Sequence, residues 1–325
     1  MKLGISVTNF SWAIPTSEIG PTVVRIAETA DGAGLDSLWT MDHFFQIRMT
    51  GLPPESPMLE AYATLGFMAA RTRRIRLGTL VTSVPYRHPG PLIKLVTSLD
   101  VLSGGRMVLG VGAGAPFSAP DFDPLHPDLS REPSMMERHE VGGLGIPFLS
   151  LGKRFGQLEE LLQIAHRMWE GDESPFVGTY YRLDRPLNSP NCLQRPHPPI
   201  LIGGSGERRT LPLVARYADA CNLFDVPERN HEDLPRKLEV LRQQCQEIGR
   251  DHREIEKTIA VGNVDVCARG GEVLLEHLRD LAGLGIEHAI LGGPGGGRPW
   301  DDEGLESLAA VIDRVHDLEP AALPA

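Results

Sequence analysis

Cysteine is scarce, with four in 325 residues, at positions 192, 221, 245 and 267. No Cys-x-x-Cys pair occurs and no histidine stands at ligand spacing from any of them, which excludes a disulfide framework and a structural zinc site and leaves reduced thiols. Positive charge is also short: 32 Lys and Arg face 43 Asp and Glu, a formal net charge of −11. Binding a phosphate backbone or an anionic membrane surface requires the opposite balance. No apolar run reaches the roughly 18 residues that cross a bilayer. The N-terminal Met1-Lys2-Leu3-Gly4-Ile5 stretch has no secretory apolar core followed by a cleavage site. The expected setting is therefore the cytoplasm, and the expected partner a small-molecule substrate, with no nucleic acid and no membrane. Metal-hydrolase spacings of His and acid and a Gly-x-Ser-x-Gly elbow are missing as well, so no metal is expected.

What is abundant is alternation. Short β-branched runs near 3–7, 37–40, 75–81, 106–111, 200–202, 220–224, 258–266 and 288–291 are separated by helical patterns near 17–33, 57–71, 91–102, 153–169, 208–217, 234–248, 271–284 and 304–318. Gly34 and Gly285 stand where a left-handed helix cap is wanted before the next strand. Eight strands alternating with eight helices, without a linker or second core, predict an α/β fold: a single (β/α)8 TIM barrel over residues 1–325. Two segments exceed ordinary connections of about 2–6 residues: an insertion at 112–151 after strand four, and an excursion at 171–199 before strand five that contains a hairpin-like Phe-Val-Gly-Thr-Tyr-Tyr run. The first belongs to the C-terminal face of the barrel, where such folds keep their active sites. It reads either as a lid over the substrate pocket or as a surface insertion.

The strand exits on that face carry the chemistry. After strand two, Asp42 and His43 sit in apolar and aromatic company, and a carboxylate beside an imidazole suits proton transfer. Strand three exits through Gly78, Thr79, Leu80, Val81, Thr82 and Ser83, offering hydroxyls and room for a flat ring. Strand four exits through Gly110-Val111-Gly112-Ala113-Gly114. Strand five runs into Gly203-Gly204-Ser205-Gly206-Glu207-Arg208-Arg209-Thr210, a strand, a glycine turn and a helix start; free N–H groups there suit a phosphate, with a tight turn as the plainer alternative. The glycine run at 292–297 reads as a loop.

These motifs, in this order, resemble the luciferase-like monooxygenase superfamily and, within it, the oxidoreductases that use the deazaflavin coenzyme F420. The likeness rests on 35–44, 74–82, 87–106, 110–114, 145–160 and 197–204, and spans most of residues 1–224. It implies that Asp42 contacts the deazaflavin and that His43 handles a proton on the substrate side. Thr79 and Leu80 fall where the family has a bulge with a non-proline cis peptide behind the ring. Thr82, Ala113 and Gly114 would line the cofactor, and Gly204, Ser205, Gly206 and Arg208 would hold its phosphate. Members that oxidise a sugar phosphate carry Glu directly after the strand-four glycines, where this chain has Ala115, which disfavours that substrate. The implied function is hydride transfer between coenzyme F420 and a small organic substrate by a homodimer. The alternatives are an FMN-dependent monooxygenase and a non-catalytic cofactor-binding barrel.

Overall fold

A computed structural model describes residues 1–47, 52–114, 138–147, 149–262, 266–293 and 298–322. Its frame is a closed barrel of eight parallel strands: β1 (Lys2–Val7), β2 (Ser37–Thr40), β3 (Arg76–Thr79), β4 (Met107–Gly112), β5 (Ile200–Gly203), β6 (Ala220–Phe224), β7 (Glu256–Val261) and β8 (His288–Leu291). Each pairs with the next in chain order, and β8 returns to β1 through the register Lys2↔His288 to Ile5↔Leu291. Around it lie α1 (Thr16–Gly32), α2 (Ala61–Ala69), α3 (Pro89–Ser103), α4 (Leu151–Glu170), α5 (Thr210–Tyr217), α6 (Asn230–Glu247), α7 (Val266–Gly283), α8 (Asp302–Ala309) and α9 (Ile312–His316).

The period-two geometry of a strand divides its side chains between two cores. Leu3, Ile5, Leu38, Met107, Leu109, Val111, Ile200, Ile202, Ala289 and Leu291 point outward into the large cluster between barrel and helices. Their neighbours Trp39, Val108, Leu201, Ala220 and Ile290 form a small inner cluster. The inner space is narrow because Trp39 occupies it. A Cβ on Gly78 would stand 2.6 Å from the Trp39 ring, and one on Gly110 only 1.8 Å from the carbonyl oxygen of Thr79. Glycine on β3 and β4 is thus a packing requirement.

The structure departs from the sequence expectation at several boundaries. The run at 75–81 stops as a strand at Thr79, the Leu80–Val81 peptide is cis, and Thr82–Ser83 then pairs with Val111 and Gly112. The run at 258–266 ends at Val261; 263–265 lie outside the described residues, and Val266 opens α7. Gly262 follows the end of the strand, and at Val266 the helical context overrides the local propensity of a β-branched residue. The helix expected at 57–71 starts at Ala61, where the Glu60 side chain accepts the Ala63 N–H at 2.6 Å and fixes the N-terminus. The final helical pattern is two short helices. Gly34 and Gly285 adopt φ of +85° and +89°, as a left-handed cap requires. The 171–199 segment holds the antiparallel pair Phe176–Val177 and Arg182–Leu183. Of the 112–151 insertion, 115–137 and 148 lie outside the described residues, Ala115 among them; so do 294–297 of the late glycine run. Cys192, Cys221 and Cys245 are free and buried.

The N-terminal end of the barrel is held by charge. A cavity of about 450 Å3 there is bordered by Lys2, Asp36, Arg76, Glu256 and His288, and three of these engage one another: Lys2 Nζ donates to Glu256 at 2.7 Å and His288 Nδ1 stands 3.6 Å from the same oxygen. Burial pushes the Glu256 carboxyl up in pKa, but His288 and Lys2 more than offset it and bring it down to about 2. A carboxylate depressed on folding stabilises the fold above its unfolded pKa of 4.5, and that contribution fades as pH falls towards 2. Glu256→Gln is therefore expected to cost about 2–3 kcal/mol at neutral pH, with the difference from wild type closing in urea titrations at acid pH. A difference independent of pH would show that packing, and not charge, is what the substitution removes.

Candidate active site

Parallel strands place all eight exits at one end, and the predicted residues gather there from β2 to β5. The loop after β2 carries Asp42 and His43. Asp42 is 1% exposed, and a carboxylate so buried needs a partner. Arg87, following β3, supplies it as a two-pronged contact, Nη1 to Oδ2 at 2.5 Å and Nη2 to Oδ1 at 3.0 Å. Thr82 donates to the same Oδ2 at 2.6 Å. Behind Thr82, Tyr62 and Thr79 contact its hydroxyl at 2.7 and 3.0 Å, and Thr79 donates to the Gly110 carbonyl at 2.9 Å. Arg87 also pairs with Glu60 and lies over the rings of Tyr62 and Phe44, 4.7 and 5.2 Å from their centroids. Burial raises the Asp42 pKa above the usual carboxylate range, and Arg87 and Thr82 offset that only in part. Burial likewise works against the Arg87 charge, but Asp42 outweighs it and keeps the guanidinium firmly protonated. The pair is ionic, and it ties the β2, β3 and β4 exits together. Asp42, read from sequence as a ring contact, has both oxygens engaged with Arg87 and Thr82.

His43 is the more accessible neighbour, its side chain 24% exposed. Its Nδ1 lies 2.9 Å from Oε2 of Glu140 and 3.2 Å from the Tyr86 hydroxyl. Tyr86 itself donates to Glu140 Oε2 at 2.5 Å, and the other Glu140 oxygen accepts the backbone N–H groups of Phe44 and Phe45. Glu140 sits on a single π-helical turn, Arg138–Gly142, and is 1% exposed. Burial alone would raise its pKa; the hydrogen bonds from His43, Tyr86 and Phe44 together with the His43 charge reverse that and lower it. Neither Glu140, Tyr86 nor Arg87 was assigned a role from sequence. A counter-ion for a buried Asp is demanded by physics but not located by pattern, and Glu140 lies 97 positions from its histidine.

At the other exits, Ala113 offers its carbonyl to the fully buried Arg154 at 2.7 Å. Gly114 follows at φ +77°, where a Cβ would meet Ser83 Oγ at 2.3 Å and Arg154 Nη1 at 2.6 Å. After β5, Gly204 turns at φ +111° with its N–H on the Asn222 carbonyl at 3.1 Å. Ser205 is half-buried, and Gly206 and Arg208 are exposed just before α5. A Cβ on Gly203 would press on Val81 at 2.9 Å, so the β5 turn lies against the cis segment. The Asp42, Thr79 and Thr82 side chains thus form one connected network. Ala113 and Gly114 form a second around Arg154, and the Gly204–Arg208 turn a third.

Between them Leu80 and Val81, half-exposed, cap the inner core, and the hydroxyls of Thr40 and Ser83 are buried at the strand ends without a hydrogen-bond partner among the described residues. An apolar platform, unpaired hydroxyls, an accessible imidazole and a glycine turn at a helix start fit a flat heteroaromatic ring bearing a phosphorylated tail. Among the described residues no group of His, Cys, Asp and Glu could hold a metal.

Comparison with known proteins shows the family and the fold. Over 209 aligned residues the chain is 29% identical to the F420-dependent glucose-6-phosphate dehydrogenase of Amycolatopsis mediterranei, covering 62% of this chain and 51% of that one. The chain thus spans about half the length of that relative. Monooxygenase RslO1 from Streptomyces bottropensis superposes with a TM-score of 0.75 at 19% identity, over 97% of this chain and all of that one. An F420-dependent secondary alcohol dehydrogenase, solved with an F420-acetone adduct, gives 0.73 at 18% over 98% and 100%. These structures share the barrel. The sequence profile of luciferase-like monooxygenases matches residues 1–284, a span that holds every strand exit described above except that of β8, and the chain belongs to that family.

Proposed function

We propose that this protein is an oxidoreductase that binds coenzyme F420 at the C-terminal mouth of its barrel and works on a small organic substrate, with His43 handling the proton. The observation that carries this is an accessible imidazole, held through its Nδ1 by Glu140 and Tyr86, at the same end of the barrel as the half-exposed, apolar Leu80 and Val81. The cofactor, when bound, supplies a two-electron hydride centre. The chain supplies the rest: Leu80 and Val81 back the ring, Thr79, Thr82, Ala113 and Gly114 shape the surrounding exits, and Gly204, Ser205, Gly206 and Arg208 offer donors to its phosphate. Asp42 serves by holding Arg87 and Thr82, and through them the three exits, in register. Supporting the cofactor are the F420-dependent relatives. FMN is the second reading, supported by the barrel's likeness to the oxygenating constituent of 3,6-diketocamphane monooxygenase from Pseudomonas putida, solved in complex with FMN. No helix among the described residues is long and apolar enough to cross a membrane, and a cytoplasmic homodimer completes the reading.

Titrating the purified protein with coenzyme F420 and with FMN, each followed by its own fluorescence, tests this directly. Binding of the deazaflavin in the micromolar range or tighter, with weaker FMN binding, is the expected result. Preference for FMN moves the reading to oxygen-using chemistry, and binding of neither removes it.

A further inference from the structure

We propose that Glu140 is a positioning residue that fixes the proton of neutral His43 on Nδ1, leaving Nε2 as a bare lone pair on the accessible side of the ring. This rests on the reading of His43 as the proton-handling residue and adds what sets its chemistry. Which nitrogen of a histidine carries the proton follows from the partner of the other nitrogen. Here Nδ1 faces two oxygens, Glu140 Oε2 at 2.9 Å and the Tyr86 hydroxyl at 3.2 Å. An ionised carboxylate can only accept, and the hydroxyl has committed its proton to Glu140 at 2.5 Å. Both neighbours of Nδ1 therefore present lone pairs, and only the Nδ1–H form satisfies them.

The carboxylate is in turn held by the chain. Oε1 accepts the N–H groups of Phe44 and Phe45, the two residues after His43, so the loop that bears the histidine also orients the group that sets it. Glu140 comes from the far end of the long segment after β4, close to where the chain re-enters the barrel layer through α4. From there its carboxylate acts through the imidazole. Nε2 is thereby prepared to take a proton from an O–H or N–H of the substrate, and the imidazolium so formed is stabilised by Glu140; in the opposite direction it returns that proton.

Glu140→Gln makes this a sharp test. The amide keeps an oxygen for the Phe44 and Phe45 N–H groups, which places its NH2 where Oε2 was, facing Nδ1. The Tyr86 proton, losing its acceptor, can turn to Nδ1 as well. Nδ1 then meets donors only, and the ring inverts to the Nε2–H form. The readout is the pair of ring 15N shifts of His43 in histidine-labelled apoprotein at alkaline pH, assigned by the signal that vanishes in His43→Gln; the protonated nitrogen resonates far upfield of the bare one.

Wild type is expected to show a protonated Nδ1 and bare Nε2, Glu140→Gln the reverse, and Tyr86→Phe, which leaves the carboxylate in place, the wild-type pattern. A wild-type ring protonated on Nε2, alone or together with Nδ1, overturns the proposal without any variant, as does a Glu140→Gln ring that keeps the wild-type pattern. Because no cofactor is present in the measurement, failure to bind F420 or FMN leaves this result standing, and failure here leaves the cofactor assignment standing.

Discussion

Arg87→Met is expected to lower the stability of the fold by about 3–5 kcal/mol, the range for stripping one partner from a buried ion pair. The reason is what stays behind. Methionine still fills the slot between Tyr62 and Phe44, so packing loss is small, but Asp42 keeps a carboxylate that is 1% exposed with Thr82 as its remaining donor. Urea titrations should show the midpoint falling with an unchanged slope. Adding Asp42→Asn should recover part of the loss, since the neutral amide still accepts from Thr82 and no longer buries a charge; the double-mutant cycle then reports the coupling. The pH dependence carries a definite sign. Burial already raises the Asp42 pKa with Arg87 in place, and without Arg87 it rises further above its unfolded value, so the folded state favours the protonated acid. The defect should be smallest at acid pH and grow as pH rises through the raised folded value. A loss below about 1 kcal/mol, the range of an exposed pair, would show that Asp42 and Arg87 are solvated in solution and do not lock the β2, β3 and β4 exits.

The barrel was legible because its signal is local and repeated. Ser37–Thr40, Ala220–Phe224 and His288–Leu291 are strands with the bounds read from sequence, each a short apolar run closed by turn residues. Boundaries failed where a tertiary contact decides them. Thr79 ends β3 because Gly110 admits its carbonyl, a fact about two strands together, and Glu60 starts α2 by a side chain that a propensity reading does not credit. At the mouth, the structure places the residues read from sequence, Asp42, His43, Thr79, Thr82, Gly114 and Ser205, at or beside the strand exits. Their partners were not read from sequence. Arg87 stands 45 positions from Asp42 and Glu140 further still from His43, and no periodicity links them. Asp42 and His43, adjacent in the chain, do not form the acid–imidazole pair that adjacency invites: Asp42 turns to Arg87, and His43 receives its carboxylate from Glu140.

That division of labour leads to the largest functional effect. His43→Ala is expected to lower the rate of hydride transfer by about 10²–10⁴-fold, the usual worth of a positioned general acid or base, while the affinity for coenzyme F420 changes little, because the platform of Leu80 and Val81 and the turn at Gly204–Arg208 are untouched. The measurement is oxidation of reduced F420 by a panel of imines, activated alkenes and ketones, alongside fluorescence titration of the cofactor. Glu140→Ala should give a smaller loss in the same assay, since the imidazole remains but its proton is no longer assigned to one nitrogen. Asp42→Asn should weaken stability more than rate, since Asp42 reaches His43 only through the loop they share. The ordering of the three variants separates the roles: a charge that builds the mouth, a carboxylate that sets a tautomer, and a ring nitrogen that moves the proton. Full turnover in His43→Ala with normal cofactor binding would mean that the proton comes from solvent or from the substrate itself, and would reduce the His43–Glu140–Tyr86 cluster to a structural brace for the loop after β2.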